Sequence, residues 1–361
     1  MGKSRLSRVG VSGARPLGCG SGGGMSELDL VDAAVGGDAD AFGLLVGRYQ
    51  SELRLHCYRM LGSVVDAEDA VQDAFARAWR SRGSFEHRDR WSYRSWLYRI
   101  ASNCCLDALR GRERRVLPYS VVAAASGVVA PPRPDSRAWM EPIPDRLLLS
   151  GSNHDPTGED LIVARETVEL VFLAAIQYLT PRQRCVLIAR DVLAWPASDA
   201  ATLLEISVAA VNSALQRARS RLREHLPADR LTWSRSATTR AEERALVGTY
   251  MRAIESRDQA LMRTLLHRDA RASFPPMPLW YEGRESFLRG TKRWAAPGEY
   301  RCVSTGANLQ PAVAIYLRPP GELQFRPLAL EALTIHNARI VDIVDFGSPD
   351  FFARFDLPRA L

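Results

Sequence analysis

Residues 198–226 read SDAATLLEISVAAVNSALQRARSRLREHL, and this stretch decides the fold around it. The pattern predicts two helices joined by a tight turn at Glu205 and Ile206, and the second helix begins after the capping residue Ser207. Apolar spacing predicts one buried stripe on the second helix: Val208, Val211, Leu215, Ala218 and Leu222. Such a pattern is typical of a helix-turn-helix. The alternative is an ordinary helical hairpin with a solvated basic face.

The opposite face of the second helix has the chemistry that duplex DNA requires. Small residues at its start allow close approach to a groove, and Asn, Gln and Arg side chains can bond to base edges. Further along, Arg219, Arg221 and Arg223 add positive charge for phosphates. The residues predicted to contact DNA are Ser207, Ala209, Asn212, Ser213, Gln216, Arg217 and Arg219.

A second region, residues 77–115, combines positive charge with aromatic rings, and its apolar spacing predicts a helix from about Tyr93 to Arg115. It contains eleven arginines and only four acidic residues. The aromatic residues between the arginines are Phe85, Trp91, Tyr93, Trp96 and Tyr98. This combination suits single-stranded nucleic acid, because arginines follow the backbone while rings stack on unpaired bases. The alternative is a helical core with an arginine-rich exterior.

The helix that the pattern predicts from Asp66 onward has an acidic face, although the surrounding region is basic. Asp66 is the expected cap, and an apolar stripe runs along the other side of the helix. The polar face consists of Asp66, Glu68, Asp69, Gln72, Asp73 and Arg77. Acidic residues near a helix N-terminus are favourable because of the helix dipole alone. That explanation stays open beside the hypothesis of a protein-binding face.

Two blocks of this sequence resemble bacterial sigma factors of the extracytoplasmic-function group. DAEDAVQDAF at 66–75, WLYRIASN at 96–103 and LDALR at 106–110 resemble the second domain of these factors. LTPRQRCVL at 179–187 and VAAVNSALQRAR at 208–219 resemble their fourth domain. The blocks occur in the family's order and cover roughly residues 25–115 and 160–227.

The resemblance implies a transcription initiation factor that binds core RNA polymerase and promoter DNA, without catalytic residues, a cofactor or a metal. The acidic face would contact the polymerase, chiefly through Asp69, Gln72 and Asp73, with Asp66, Glu68 and Arg77 beside them. The residues implied to recognise and melt the minus-ten element are Trp91, Arg99, Asn103 and Arg110, together with the loop at 85–91. The helix after Ser207 would read the minus-thirty-five element as duplex.

Composition divides the chain into five segments. We expect a flexible glycine-rich tail at 1–24, a helical domain at 25–115, a proline-rich linker at 116–158, a second helical domain at 159–228 and an α+β domain at 237–361. The linker contains WMEPIPD at 139–145, which predicts docking on a folded domain; the alternative is that it has no special role. The last domain predicts strands at 300–305, 312–317, 328–335 and 339–346, with a turn at Asn337 and Ala338.

The C-terminal segment, with WYEGR at 280–284 after two prolines, resembles the SnoaL-like extension fused to some of these sigma factors. The expected fold is therefore multidomain, with two all-α DNA- and polymerase-binding domains followed by an α+β SnoaL-like cone-shaped barrel. The candidate pocket residues are Phe274, Trp280, Tyr281, Trp294 and His336. No acid–base pair can be placed by spacing, so we predict no catalysis. We expect this domain to dock on the DNA-binding domains or the linker and to set their activity, and a small-molecule ligand stays open.

Composition excludes several other classes. The net charge is +7, and all but Lys3 and Lys292 of the 48 basic residues are arginines. The cysteines form no Cys-x-x-Cys pair, and no apolar run reaches the length of a membrane span, so we expect a cytoplasmic protein. One alternative is a one-component helix-turn-helix regulator with a ligand-sensing C-terminal domain, which leaves the acidic face unexplained. Another is a SnoaL-type isomerase or hydrolase, which leaves both helical blocks unexplained.

Overall fold

The computed structural model describes residues 26–85, 92–126, 129–149, 167–226, 239–292 and 296–361. The expected tail at 1–24, and also Trp91 and Trp294, lie outside these residues. The helices are α1 (Glu27–Val35), α2 (Ala39–Leu61), α3 (Val64–Arg80), α4 (Tyr93–Ala108), α5 (Asp145–Leu149), α6 (Leu170–Ile176), α7 (Pro181–Leu187), α8 (Ala197–Leu204), α9 (Val208–His225), α10 (Arg240–Glu255), α11 (Gln259–Leu265), α12 (Arg284–Lys292) and α13 (Asp350–Arg354). The strands are β1 (Leu266–Ser273), β2 (Trp280–Glu282), β3 (Glu299–Ala307), β4 (Gln310–Arg318), β5 (Arg326–His336) and β6 (Arg339–Phe346).

Helices α1 to α4 pack into one all-helical domain. Asp38 caps α2, because its carboxylate accepts hydrogen bonds from the backbone N–H groups of Asp40 and Ala41 at 2.9 and 3.1 Å. Helix α2 ends at Gly62, whose φ of 71° favours glycine. A Cβ atom at this position would also lie 2.8 Å from the sulfur of Met140. The linker therefore packs directly against the end of α2.

Two boundaries in this domain differ from the prediction. Ser63 caps α3, since its hydroxyl accepts a hydrogen bond from the N–H of Asp66 at 3.2 Å. The prediction of Asp66 as the cap was wrong, because the helix begins at Val64 and Asp66 lies in its first turn. Helix α4 ends at Ala108 rather than near residue 115, and the chain then turns at Gly111, whose φ is 72°.

Helices α6 to α9 form the second all-helical domain. Thr180 caps α7 in a capping box, in which the Thr180 hydroxyl and the Gln183 side chain each accept from the other residue's N–H at 3.3 and 3.1 Å. Helix α8 ends at Glu205, which has a left-handed φ of 54°. Ser207 then caps α9 by accepting from the N–H of Ala210 at 3.1 Å. These contacts produce the predicted helix-turn-helix.

The buried stripe of α9 agrees with the prediction except at its first residue. Val211, Leu215 and Ala218 are buried, whereas Val208 is 44% exposed. Val208 lies at the free N-terminal end of α9 and lines an open cleft, so the stripe begins one turn later.

The C-terminal domain is a six-stranded mixed sheet with the order β2-β1-β6-β5-β4-β3. Strands β1 and β6 are parallel, and the other neighbours are antiparallel. Helices α10, α11 and α12 pack on the face that includes Val313 and Leu333, whereas Ala314 and Ala332 belong to the core shared with the helical domains. This architecture confirms the expected α+β fold of the C-terminal domain.

The four predicted strands are present, with somewhat wider bounds for three of them, and the turn between β5 and β6 has the left-handed φ values of 48° and 55° at Asn337 and Ala338. Strands β1 and β2 were not predicted. Charged residues interrupt the apolar alternation of β1 in the sequence. One of them, Arg271, forms an ion pair at 3.2 Å with the buried Asp342 of β6.

The linker docks on the folded domains through its described residues. Met140 and Ile143 are buried, with 1% and 0% of their surfaces exposed. Between them, Glu141 forms ion pairs with Arg115 at 3.3 Å and with Arg354 of α13 at 3.2 Å. The linker therefore joins the first helical domain to the C-terminal domain, and docking was the correct alternative.

Candidate functional site

The acidic face of α3 divides into a paired half and a solvent-facing half. Asp69, Gln72 and Asp73 are exposed. The other predicted contacts make ion pairs within the chain: Asp66 with Arg112 and Arg115 at 3.0 and 2.8 Å, Glu68 with Arg54 at 3.8 Å, and Arg77 with Asp107 at 2.9 Å. Burial opposes ionisation of Asp66, but its hydrogen bonds from the two arginines outweigh burial and hold its pKa below the ordinary value. The exposed half is the part available to a partner.

The residues predicted to contact the minus-ten element, on helix α4 and just beyond it, differ in their exposure to solvent. Asn103 is exposed, and Arg110 is exposed just beyond the helix, with an ion pair to Asp107 at 3.4 Å. Arg99 is only partly exposed, because it forms an ion pair with Glu205 of the helix-turn-helix. Trp91 lies outside the described residues.

The aromatic residues near α4 form a cluster with one another. The ring centroids of Phe85 and Tyr93 are 5.3 Å apart, and those of Tyr93 and Trp96 are also 5.3 Å apart. Phe85, Tyr93 and Tyr98 are buried, and Trp96 is half-buried. These rings therefore pack in the domain core in this arrangement. This agrees with the alternative of a helical core with an arginine-rich exterior.

The two helical domains meet at an open cleft of about 600 Å³. Its lining includes Arg99 from α4, Thr202 and Glu205 from the end of α8, and Ser207 and Val208 from the start of α9. The ion pair between Arg99 and Glu205 forms part of the lining of this cleft. A residue predicted to recognise melted DNA thus contacts the turn of the element predicted to bind duplex DNA.

The DNA-facing side of α9 is open in the structure. The exposed residues are Ser207, Ala209, Asn212, Ser213, Gln216, Arg217 and Arg219. The guanidinium of Arg217 donates to the Ser213 hydroxyl at 2.6 Å. Arg219 donates through Nε and Nη2 to both oxygens of Asp191, at 2.9 and 2.6 Å. All seven predicted contact residues therefore lie at the surface of one helix and its cap.

A single asparagine in the turn between β3 and β4 connects three parts of the chain. Asn308 is fully buried, and its side-chain oxygen accepts from the N–H of Ile143 at 3.1 Å. Its amide nitrogen donates to the Tyr58 hydroxyl and to the carbonyl of Val168, both at 2.8 Å. The turn of the C-terminal domain is thereby bound to α2, to the linker and to the segment before α6.

Two buried arginines lie where the helical domains meet. Arg59 donates to the Thr167 hydroxyl at 2.6 Å, and Arg184 donates to the carbonyl groups of Met60 and Ile176. Burial lowers the pKa of each arginine to about 10. Within the described residues, neither forms an ion pair with a carboxylate. Burying charges in this way is unfavourable, because backbone and hydroxyl oxygens replace only part of their hydration.

The predicted pocket residues of the C-terminal domain do not converge on one point. Phe274 and Tyr281 are buried, with ring centroids 6.0 Å apart. The indole of Trp280 donates instead to the carbonyl of Val122 in the linker, at 2.9 Å. His336 lies at the end of β5, where its ring is 3.0 Å from the side-chain amide of Asn337. Trp294 lies outside the described residues.

A carboxyl pair that the sequence did not reveal lies on the helix-covered face of the sheet. Glu331 and Asp345 are direct cross-strand partners on β5 and β6, and the Tyr250 hydroxyl of α10 donates to Glu331 at 2.7 Å. Burial, reinforced by the charge of Asp345, raises the pKa of Glu331 to about 8, although the Tyr250 hydrogen bond opposes this shift. Burial raises the pKa of Asp345 to about 7. The pair therefore holds a proton at neutral pH.

Asp191, Glu205 and Asn308 are the other residues that sequence reasoning missed. Their partners lie 28, 106 and 250 positions away, so no local pattern signals them. Across the stretches that the structure describes, no three His, Cys, Asp or Glu side chains are grouped as a metal site. Those stretches also contain no helix with the length and apolar character needed to span a membrane.

Comparison with known proteins identifies the two helical domains. The Sigma-70 region 2 model matches residues 45–115, and the Sigma-70, region 4 model matches residues 169–222. These are the domains that contain α4 and α9, and they define a sigma-70-type factor of RNA polymerase. The ECF RNA polymerase sigma factor SigG of Mycobacterium tuberculosis is 40% identical over 322 residues, which are 87% of this chain and 83% of that protein. The chain belongs to the extracytoplasmic-function (ECF) sigma factors.

Two further proteins extend the comparison. The ECF RNA polymerase sigma factor SigW of Bacillus subtilis is 29% identical over 190 residues, which are 53% of this chain and 91% of that protein. The crystal structure of the extracytoplasmic function sigma factor SigJ of Mycobacterium tuberculosis has a TM-score of 0.54 at 21% identity, over 86% of this chain and 98% of that chain. The structural likeness concerns the fold and includes the C-terminal part. The predicted class, a transcription initiation factor, is confirmed.

Proposed function

We propose that this ECF sigma factor binds core RNA polymerase through the exposed half of the α3 face and reads promoter DNA through α4 and α9. The observation that supports this most directly is the position of the exposed polar surfaces. Asp69 and Asp73 face solvent on α3, and Asn212 and Gln216 face solvent on α9. Family membership assigns the class of partner, and these surfaces are the ones free to contact it.

The two DNA contacts act on different forms of the promoter. Helix α9 binds duplex, where bonds to phosphates position it and bonds to base edges select the sequence. The region around α4 binds the minus-ten element once its strands have separated. Tighter binding to the open form shifts the melting equilibrium, so strand opening requires neither ATP nor a catalytic residue in this chain. Transcription takes place in the cytoplasm, which is the compartment that this function implies.

The C-terminal domain regulates access to these surfaces. Asn308 in its β3–β4 turn forms hydrogen bonds with the linker and with both helical domains. In that arrangement Arg99 forms an ion pair with Glu205. The buried charges of Arg59 and Arg184 raise the free energy of this closed arrangement, because they lack carboxylate partners in the part of the chain that the structure describes. Core polymerase can therefore displace the contact by binding the separated domains more tightly.

Reconstitution with core polymerase tests the function. We expect the holoenzyme to open promoter strands, measured by permanganate reactivity of unpaired thymines, whereas the chain alone leaves the duplex closed. Replacing Asp69 and Asp73 with alanine is expected to weaken binding to the core enzyme. Asp40→Ala, which removes an exposed acid from α2, is the matched control. A one-component regulator would bind duplex DNA without core polymerase, and a SnoaL-type enzyme would neither bind duplex DNA nor open its strands. Each of these results would refute the proposal.

Deletion of residues 237–361 tests the regulatory role separately. We expect promoter-dependent transcription by the reconstituted holoenzyme to change, because the deletion removes Asn308 and its contacts with the linker. Unchanged output at every promoter would exclude regulation by this domain and leave the sigma-factor function intact.

A further inference from the structure

The turn between α7 and α8 contributes an acidic residue to the DNA-facing helix. Asp191 lies in the π-helical turn Ile188–Val192, and its two oxygens accept from Nε and Nη2 of Arg219 on α9, at 2.9 and 2.6 Å. This bidentate pairing fixes the orientation of the planar guanidinium more strictly than a single bond would. It uses one edge of the guanidinium, so further N–H donors remain for another acceptor.

Arg219 lies on the side of α9 predicted to face DNA. It is seven residues after Asn212 and three after Gln216, and both spacings place side chains on the same helix face. The Arg219 side chain is 56% exposed, whereas the Asp191 side chain is 29% exposed. The carboxylate therefore approaches from the protein body, and the guanidinium presents its outer edge to solvent.

We propose that Asp191 is a positioning residue for promoter binding: it holds Arg219 in the orientation that contacts a backbone phosphate of the minus-thirty-five duplex. This inference rests on the proposed function of α9. A free arginine side chain loses conformational freedom when it binds, and the carboxylate imposes that restriction beforehand. An exposed ion pair adds little to folding stability, which makes a purely structural role a weak explanation.

The test measures binding of the reconstituted holoenzyme to a duplex that the wild-type holoenzyme selects from a randomised library. The variants are Asp191→Asn, Arg219→Ala and the double mutant. We expect each single variant to lose affinity about 3- to 10-fold on every selected sequence, and the double variant to be no weaker than Arg219→Ala. Arg219→Ala should also reduce the salt dependence of binding by about one phosphate contact. Glu224→Gln is the control, because it removes an exposed acid from the same helix without touching Arg219.

The remaining outcomes separate the possible failures. Tighter binding by Asp191→Asn would mean that the carboxylate only neutralises Arg219. An affinity of Asp191→Asn equal to that of the wild type, or losses of the two single variants that add in the double variant, would mean that the two side chains act independently. Each of these results overturns the positioning role. A lower thermal midpoint of Asp191→Asn, with the same affinity loss in the Arg219→Ala background, would assign Asp191 to structure. If the wild-type holoenzyme selects no duplex, the proposed function itself fails.

Discussion

Replacing Asn308 with alanine removes the contact that joins the C-terminal domain to both helical domains. The substitution eliminates three side-chain hydrogen bonds, to the N–H of Ile143, the Tyr58 hydroxyl and the carbonyl of Val168. All three partners then lose a buried hydrogen bond. We therefore expect the closed arrangement to become less stable while each domain remains folded.

The magnitude follows from the number of bonds lost. Each buried hydrogen bond contributes about 1 kcal/mol, and more when a polar atom is left unsatisfied, so the total is at least about 3 kcal/mol. Because about 1.4 kcal/mol corresponds to a factor of ten, the ratio of open to closed molecules rises about 100-fold. Asn308 also has a left-handed φ of 59°, which alanine adopts at an extra cost of about 1–2 kcal/mol.

Asn337→Ala is the matched control, since Asn337 has a φ of 48° in the next hairpin turn but an exposed side chain. It carries the same kind of backbone strain at a side chain that is exposed, whereas the side chain of Asn308 is fully buried. The assay is amide hydrogen exchange over residues 139–149, which should accelerate by about 100-fold or more in Asn308→Ala and remain unchanged in Asn337→Ala. Equal exchange in the two variants would show that the contact does not hold the domains together.

Three further predictions concern other parts of the molecule. Glu205→Gln frees its arginine partner on α4, and an exposed ion pair contributes up to about 1 kcal/mol. Binding of the free chain to single-stranded minus-ten DNA should therefore increase by up to about fivefold, and weaker binding would contradict this. Gln216→Ala should cost about 1–3 kcal/mol at one matched base pair and relax selectivity there, whereas an equal loss on all sequences would mean that it contacts only phosphates. The raised pKa values of Glu331 and Asp345, about 8 and about 7, mean that the folded domain binds protons which the unfolded chain has released above about pH 4. Its stability should therefore decrease between about pH 5 and pH 8, by at most about 1.4 kcal/mol per pH unit for each group, and Glu331→Gln should flatten the slope of the unfolding free energy against pH.

Local sequence signals identify the start of a helix where only one capping residue is available, and they fail where two capping residues compete. Thr180 followed by proline has no nearby rival as a cap, and α7 begins directly after it, at Pro181. Ser63 and Asp66 both offer a capping oxygen, and the burial of Val64 within the first turn favours a helix that begins after Ser63. Strand β1 was missed for a related reason: Arg271 interrupts its apolar pattern, and distant residues, Asp342 through an ion pair and Tyr119 through its ring, accommodate that arginine.

The amino-acid sequence alone determined the two all-helical domains, the helix-turn-helix with its exposed polar face, the α+β class of the C-terminal domain and the resemblance to sigma factors. These depend on capping residues, periodicity and motif order, which act over a few neighbouring residues. Only the tertiary structure decided that Glu205 forms an ion pair with Arg99 and that Asn308 binds Tyr58 from 250 positions away. It also decided that the carboxyl groups of Glu331 and Asp345 lie on neighbouring strands of one sheet. Such contacts depend on which faces of distant elements pack together, and that choice is made by the burial of the whole core rather than by any segment's own propensity.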